Sequence, residues 1–283
     1  MEATSRDLVA RARRKLRSKL RQAQYWKNSS NSNTDPKSVI SLLEQLRPID
    51  NGYELVRVGG PTDGGYVIPM DFDDAKFQLF SPGVGPTAKF ELELLERFHI
   101  PGYMADPFVE GRPDLPAGLV HEPIFIGVGN SHGFAEQNLQ RWISQRLASS
   151  SEIVLQMDIE GSEYAALLSL DDEVLKRIRV AVVEFHNLSA LLNSFSYHQL
   201  IAPALRRVLS EFDVVHTHAN NCCPTFAVAG QYRFPEVIEV TFHRKDRRQA
   251  HRPNGFRSLP HAADAPSVST KPECFLPSHW YTT

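Results

Sequence analysis

The sequence predicts an α/β domain built on a mostly parallel β-sheet whose last strand runs antiparallel. Seven apolar, β-rich runs indicate this class, because helical stretches separate most of them and strands that alternate with helices form parallel sheets covered on both faces. No helical pattern lies between the sixth and seventh runs, so the last strand is expected to return beside the sixth. The runs lie near residues 77–81, 102–105, 122–128, 152–157, 179–185, 212–217 and 236–243, and the helical stretches near 87–98, 134–148, 162–177 and 197–211.

Composition divides the 283 residues into three segments. Residues 1–35 carry nine Lys or Arg, three acids and a narrow apolar stripe, which predicts a basic amphipathic helix and a linker. This helix is either solvated and packed along its stripe, or a contact for anionic lipid or a protein partner. Residues 36–245 hold the α/β pattern, which begins with a predicted helix over 36–50 and a hairpin over 53–58 and 66–68. Residues 246–283 are polar and Pro-rich and are expected to be extended or weakly ordered, although CFLPSHWY near the end is apolar enough to dock.

Charge and cysteine content narrow the class of protein. The net charge is −2, so no nucleic-acid partner is expected. No run of about 18 apolar residues predicts a membrane span, and the N-terminus lacks the apolar core of a signal peptide. The three cysteines form neither a disulfide framework nor a CxxC pattern. A cytoplasmic location is expected, with peripheral membrane contact through the basic helix as the open alternative.

A glycine-rich turn follows the first strand of the alternating region, in SPGVGPTAKFE. Gly83 and Gly85 allow the backbone to approach a ligand closely, and the N–H groups at the start of the next helix suit an anionic or carboxylate-bearing ligand. Asp106 ends the second strand 21 residues beyond Gly85, a distance that places an acid beside the ribose of an adenosine cofactor. The alternatives are a plain strand-to-helix turn for the glycines and a cap before Pro107 for Asp106.

Acids and imidazoles also end the fourth, fifth and sixth strands. Because ligands of open α/β sheets bind beyond the carboxyl ends of the strands, these side chains are expected to meet at one edge. Residues i and i+2 of a strand point to the same side, so neighbours of the same strand end act together. The residues are Asp158 in LQMDIEGSEY, then Glu184 and His186, then His216, His218 and Asn220.

Such a cluster can bind a divalent metal or act as a general base. Glu160 and Glu163 follow Asp158 closely, and their alternative is to favour the first turn of the next helix through its dipole. His216 has the alternative of a buried supporting residue.

These motifs resemble those of the FkbM-like class I methyltransferases, in the branch that carries an early DGGY segment. The resemblance covers about residues 53–243 and rests on LVRVGGPTDGGYVIP, FSPGVGPTAKFELEL, MADPF, LQMDIEGSEYAAL, VVEFHNL, FDVVHTHANN and EVIEVTF. It implies a Rossmann-like sheet of seven strands with an antiparallel last strand. It also implies S-adenosylmethionine as the cofactor and methyl transfer to oxygen, on a saccharide, glycan or glycolipid acceptor.

The resemblance further implies roles for individual residues. Gly83 and Gly85 are expected to contact the methionine end of the cofactor, and Asp106 its ribose. Asp158 is also a predicted cofactor-binding residue. A loop is expected to close over the site, with a plain hairpin turn as its alternative. The loop residues are Asp63, Gly64, Gly65 and Tyr66.

Methyl transfer from a sulfonium requires an acceptor oxygen in line with the methyl carbon and the sulfur. A hydroxyl acceptor is a weak nucleophile, so a base or a metal must activate it. The predicted catalytic residues are Asp158, Glu184, His186 and His218. Asp158, His186 and His218 are also predicted ligands of a divalent metal, for which Mn²⁺ or Zn²⁺ suits mixed ligands better than Mg²⁺. Two alternatives are a metal-dependent nucleotide-sugar glycosyltransferase and a non-catalytic cofactor-fold scaffold at the membrane.

Overall fold

The computed structural model describes residues 33–85, 87–109, 114–127, 135–250 and 255–281. The predicted basic helix and linker of residues 1–35 lie almost wholly outside this part of the chain, so the membrane or partner contact assigned to them stays a prediction. Within the described ranges no helix is long and apolar enough to cross a bilayer.

Strands and short helices alternate along the described chain. The strands are β1 (Leu55–Val58), β2 (Tyr66–Pro69), β3 (Lys76–Pro82), β4 (Gly102–Ala105), β5 (Leu119–Glu122), β6 (Phe125–Ile126), β7 (Glu136–Gln137), β8 (Ser151–Met157), β9 (Ile178–Phe185), β10 (Phe212–Ala219), β11 (Thr225–Val228), β12 (Tyr232–Pro235) and β13 (Ile238–Arg244). The α-helices are α1 (Pro36–Glu44), α2 (Lys89–Phe98), α3 (Leu139–Ser144), α4 (Glu163–Ser169), α5 (Asp172–Arg177), α6 (Ser194–Ser196) and α7 (Ala202–Glu211).

Seven of these strands form the central sheet, in the order β10-β13-β9-β8-β3-β4-β5. Strands β3, β4, β5, β8 and β9 pair in parallel, while β13 pairs antiparallel with both β9 and β10. The predicted fold class is confirmed: the chain has a Rossmann-like α/β sheet, mostly parallel, with an antiparallel last strand. The last strand does more than return beside the sixth, because it inserts between β10 and β9 and is itself buried over nearly its whole length.

The extents of some elements differ from the sequence prediction. The third strand, predicted near residues 122–128, is misplaced: the strand of the central sheet is β5, which ends at Glu122, whereas Phe125–Ile126 form β6 and pair with β7. The helix predicted over 162–177 is two helices, because Leu170 has extended backbone angles and the Asp171 side chain caps the start of α5. The helix predicted over 36–50 ends at Glu44, and the one predicted over 197–211 begins with a π-helical turn before α7.

Packing on both faces explains why the central strands read as continuous apolar runs. All eight residues of β9 (IRVAVVEF) are buried, as expected for a strand covered on both sides. One cluster of buried side chains contains Trp142 of α3, Leu167 of α4 and Leu205 of α7. A second cluster contains Val58 of β1 and Phe90 of α2, so the β1–β2 hairpin and α2 pack together away from the first group of helices.

Residues 255–281 pack against the α/β domain although they hold little regular structure. Leu259, Leu276 and Trp280 are buried within the main core cluster. The Trp280 indole N–H donates to Glu44 of α1 at 3.1 Å, and the Asn221 side chain donates to three carbonyl groups of this segment. The docking predicted for CFLPSHWY is present. The expectation of weak order does not describe residues 255–281, because they contribute side chains to the core.

Candidate functional site

A row of polar side chains crosses the edge of the sheet at which β8 and β9 end. Asp158 directly follows β8, and the pairing register joins Glu184 of β9 to Glu239 of β13 and Glu239 to His218 of β10. Paired residues of adjacent strands point to the same face of a sheet. The row therefore occupies the edge where open α/β sheets bind ligands.

The glycine-rich turn after β3 packs directly against Asp158. The Gly83 N–H donates to the Ala105 carbonyl at 2.8 Å, and the Asp158 N–H donates to the Pro82 carbonyl at 3.1 Å. Gly83 has a φ of +87°, and a Cβ atom there would lie 1.7 Å from the Asp158 carbonyl oxygen. Gly83 is thus required by the contact between two strand ends. Gly85 differs, because a Cβ atom on it would have nothing within 4 Å.

Asp106 lies at the same edge, directly after β4. It is 1% exposed, its N–H donates to the Glu122 carbonyl at 3.2 Å, and its Oδ1 atom accepts a hydrogen bond from the Phe108 N–H at 2.7 Å. The cap considered from the sequence is therefore formed. A carboxylate has two oxygens and several lone pairs, so the cap is compatible with a further hydrogen bond to a ribose hydroxyl.

His186, just after β9, lies among four carboxylates. Its Nδ1 atom is 3.0 Å from Glu163 Oε1. Its Nε2 atom is 3.5 Å from Glu184 Oε1, 3.7 Å from Asp158 Oδ1 and 3.8 Å from Glu160 Oε2. The structure thus brings together three of the four predicted catalytic residues, Asp158, Glu184 and His186, and adds both acids of the DIEGSE turn.

Glu163 fixes the orientation of the His186 ring. Glu163 is fully buried, and its Oε1 atom accepts hydrogen bonds from the backbone N–H groups of Ile159 at 3.2 Å and Gly161 at 2.9 Å. The turn that allows this has positive φ angles at Glu160 (+57°) and Gly161 (+102°). Glu163 is also the first residue of α4, so its carboxylate occupies the helix start considered from the sequence and contacts the imidazole as well.

The carboxylates determine which groups of this cluster carry protons. Burial of the ring favours neutral imidazole, but the Glu163, Glu184 and Asp158 carboxylates outweigh it and raise the pKa of His186 well above its ordinary value. Burial and the Asp158 carboxylate likewise raise the pKa of Glu184 well above its ordinary value. Glu184 Oε2 is buried and accepts no hydrogen bond from any described residue.

The loop of residues 63–66 connects β1 to β2, which pair antiparallel as the predicted hairpin. Tyr66 is buried, and its hydroxyl accepts a hydrogen bond from the Gln156 amide at 3.1 Å. Burial and the Asp158 carboxylate raise the pKa of Tyr66 well above its ordinary value. Gly65 has no room for a side chain, because a Cβ atom would lie 2.1 Å from the Gly60 carbonyl oxygen. Gly64 has a φ of +82° and open space around its Cβ position.

His218 belongs to a second cluster, beside β10 and the C-terminal segment. Its Nδ1 atom lies 3.4 Å from Glu239 Oε2. Burial lowers the pKa of His218, but the Glu239 carboxylate outweighs this and raises it above its ordinary value. His216 is buried, and its Nε2 atom lies 2.8 Å from Asp264 Oδ1, so it is the supporting residue considered from the sequence.

The arrangement changes the predicted metal-ligand set. In the part of the chain that the structure describes, the ligand atoms that lie within 4.8 Å of one another belong to Asp158, Glu160 and His186. His218 is not among them, because β13 separates its strand from β9. Two carboxylates and one imidazole fit Mn²⁺ or Zn²⁺ better than Mg²⁺.

Sequence reasoning missed two acids of the site, Glu239 and Asp264. Glu239 had a usable signal, because an antiparallel last strand begins at the edge where the parallel strands end, and Glu239 is the second residue of β13. Asp264 had none, because it lies in an irregular segment without hydrophobic periodicity.

Comparisons with known proteins add little to this geometry. No family model matches the chain, and no curated protein matches it. A solved structure of a fibrillarin/Nop5p complex matches 60% of this chain and 73% of its own chain, with 8% identity and a TM-score of 0.30. The structure of the mitomycin 7-O-methyltransferase MmcR matches 62% of this chain and half of its own chain, with 13% identity and a TM-score of 0.26.

Proposed function

We propose that this chain is an S-adenosylmethionine-dependent O-methyltransferase that acts on a sugar hydroxyl of a saccharide, glycan or glycolipid. The observation that supports this most is the excess of carboxylates around one imidazole at the ligand-binding edge of the sheet. S-adenosylmethionine carries a sulfonium and an ammonium cation next to an adenosine. The acidic row at Asp158 and the acid at the end of β4, Asp106, match these two parts of the cofactor.

The residues of the edge have different roles in methyl transfer. When bound, S-adenosylmethionine supplies a methyl group on a positively charged sulfur. Glu163 holds the His186 ring so that Nε2 points toward Asp158, Glu160 and Glu184. The proton of the acceptor hydroxyl can then pass to Asp158 or to His186 Nε2.

The charge of the site determines whether Asp158 or His186 accepts the proton. While His186 is an imidazolium it cannot accept a proton, so Asp158 is the base. The sulfonium charge of bound S-adenosylmethionine, if it lies near Nε2, would lower the pKa of His186 and free that atom to accept a proton. A divalent metal, if one is used, would be held by Asp158, Glu160 and His186 and would lower the pKa of the acceptor hydroxyl.

Binding measurements test the proposal without a known acceptor. Titration calorimetry with S-adenosylmethionine should show binding, and UDP-sugars with Mn²⁺ should show none. Asp158→Asn should weaken S-adenosylmethionine more than S-adenosylhomocysteine, because only the former carries the sulfonium charge. Asp172→Asn is the matched control, since it removes one carboxylate from an exposed helix start. Binding of UDP-sugars alone would indicate a glycosyltransferase. If neither S-adenosylmethionine nor UDP-sugars bind, the chain would be a non-catalytic scaffold.

Once an acceptor is known, Asp158→Asn should fold and bind cofactor but transfer methyl at least about a hundredfold more slowly, the scale of a lost general base. Assays in EDTA and after addition of Mn²⁺ or Zn²⁺ distinguish the two routes. Full activity in EDTA leaves the base-only route. Near-normal turnover by Asp158→Asn would remove this edge as the catalytic centre.

A further inference from the structure

A cavity of about 140 Å³ lies between the end of β10 and the C-terminal segment. We call it the tail cavity. Its lining includes one residue of the edge, His218, and otherwise comes largely from the segment that follows residue 255. Its lining includes His218, Leu259, His261, Asp264, Phe275 and Tyr281.

One wall of the tail cavity is polar and held rigidly. Asp264 Oδ1 lies 2.8 Å from His216 Nε2, and Asp264 Oδ2 accepts a hydrogen bond from the His261 N–H at 2.8 Å. His261 Nδ1 accepts a hydrogen bond from the Ala263 N–H at 3.2 Å. Burial and the neighbouring His216 lower the pKa of His261, so its ring is neutral and its proton lies on Nε2. The wall therefore presents an imidazole N–H donor beside a carboxylate acceptor.

The lining also contains aromatic side chains that reach the surface. Phe275 is 61% exposed, and its ring centroid lies 6.3 Å from that of Tyr281, with Leu259 also in the lining. A cavity lined by both an exposed aromatic residue and polar groups suits a ligand with an apolar face and a polar edge. A pyranose ring has this form, because its C–H groups lie on its faces and its hydroxyls around its edge.

The tail cavity is too far from His186 to hold the hydroxyl that reacts. His218 and Glu184 lie on strands separated by β13, and adjacent strands are about 4.8 Å apart, so the two residues are about 10 Å apart across the sheet. Glu239 lies between them in the same row. A ligand that reaches both His186 and the tail cavity must therefore be longer than one sugar unit, and it must pass Glu239, which is buried and accepts a hydrogen bond from the Ser267 hydroxyl at 3.1 Å.

We propose that the tail cavity binds a second sugar unit of the acceptor, so that the acceptor is at least a disaccharide. The role of the neighbouring edge in this proposal rests on the proposed methyltransferase function, whereas the saccharide binding does not.

A glycan array of mono- to tetrasaccharides, probed with the full chain in the presence of S-adenosylhomocysteine, tests the proposal. Calorimetry then compares the best disaccharide with its component monosaccharides. We expect the disaccharide to bind at least about tenfold more tightly, and Phe275→Ala to abolish this gain while the midpoint of thermal unfolding stays unchanged. Phe256→Ala is the matched control, because Phe256 is also exposed and lies in the same segment but outside the cavity.

Three outcomes would overturn the proposal: no saccharide binds, mono- and disaccharides bind equally, or Phe275→Ala binds as the unaltered chain does. The failure of the proposed function looks different. If S-adenosylmethionine does not bind but a disaccharide binds through Phe275, the tail cavity stands as a saccharide site and the methyltransferase assignment falls.

Discussion

Replacement of Gly83 by alanine separates the structural role of the glycine-rich turn from its cofactor role. The new Cβ atom would lie 1.7 Å from the Asp158 carbonyl oxygen, so the two strand ends must move apart by about 1.5 Å or more to reach van der Waals distance. That movement disrupts the hydrogen bonds from Gly83 to Ala105 and from Asp158 to Pro82. Alanine at a φ of +87° adds a further cost.

The expected loss of stability follows from these contributions. The left-handed backbone costs alanine about 1–2 kcal/mol, and each weakened hydrogen bond about 0.5–1.5 kcal/mol. We therefore expect Gly83→Ala to lower the free energy of unfolding by about 3 kcal/mol. For a chain of this size that corresponds to a fall of about 6–12 °C in the midpoint of thermal unfolding. Urea unfolding and differential scanning calorimetry measure both quantities.

Gly85→Ala is the matched comparison, because nothing lies within 4 Å of its Cβ position. Its free energy of unfolding should change by no more than about 0.5 kcal/mol. If the backbone at Gly85 approaches the cofactor, the same variant should bind S-adenosylmethionine more weakly at unchanged stability. Equal stability of Gly83→Ala and the unaltered chain would refute the packing argument, and unchanged affinity in Gly85→Ala would remove Gly85 from the cofactor site.

Three further predictions concern the buried charges and the C-terminal segment. Asp71→Ala should lower the free energy of unfolding in urea by about 3–5 kcal/mol, because it leaves the buried Arg179 and the Arg247 guanidinium without this carboxylate. A loss below about 1 kcal/mol would contradict this expectation. Burial raises the pKa of Asp71, but His243, Arg247 and Arg179 outweigh it and hold this pKa well below its ordinary value. The ionised Asp71 carboxylate therefore stabilises the fold above about pH 4, and this contribution declines as the pH falls below that value. The stability difference between the unaltered chain and Asp71→Ala should accordingly narrow as the pH falls below about 4, and a constant difference would argue against the ion pairs. Trp280→Ala should cost about 3–5 kcal/mol and expose residues 255–281 to proteolysis, whereas unchanged protease resistance would show that the segment does not depend on this anchor.

Local pattern was enough to predict the sheet and the first half of the site. The β9 run IRVAVVEF is apolar throughout because both its faces are covered, and such a run can be recognised without knowing its neighbours. Asp158 and His186 follow neighbouring parallel strands, and parallel strands end at the same edge. Their meeting could therefore be expected from their positions alone, and the structure places His186 Nε2 3.7 Å from Asp158 Oδ1.

The remaining features depend on how distant segments pack, which periodicity does not encode. Insertion of β13 between β9 and β10 decides that Glu239 joins the row and that His218 stays out of the metal-ligand group. Docking of the irregular C-terminal segment decides that Asp264 reaches His216. Glu163 was ambiguous for a similar reason: a helix start and a buried hydrogen-bond partner place the same acid at the same position. The three-dimensional fold of the DIEGSE turn directs two backbone N–H groups and the His186 imidazole at one oxygen of Glu163. Only this fold shows that Glu163 is also the hydrogen-bond partner of the imidazole.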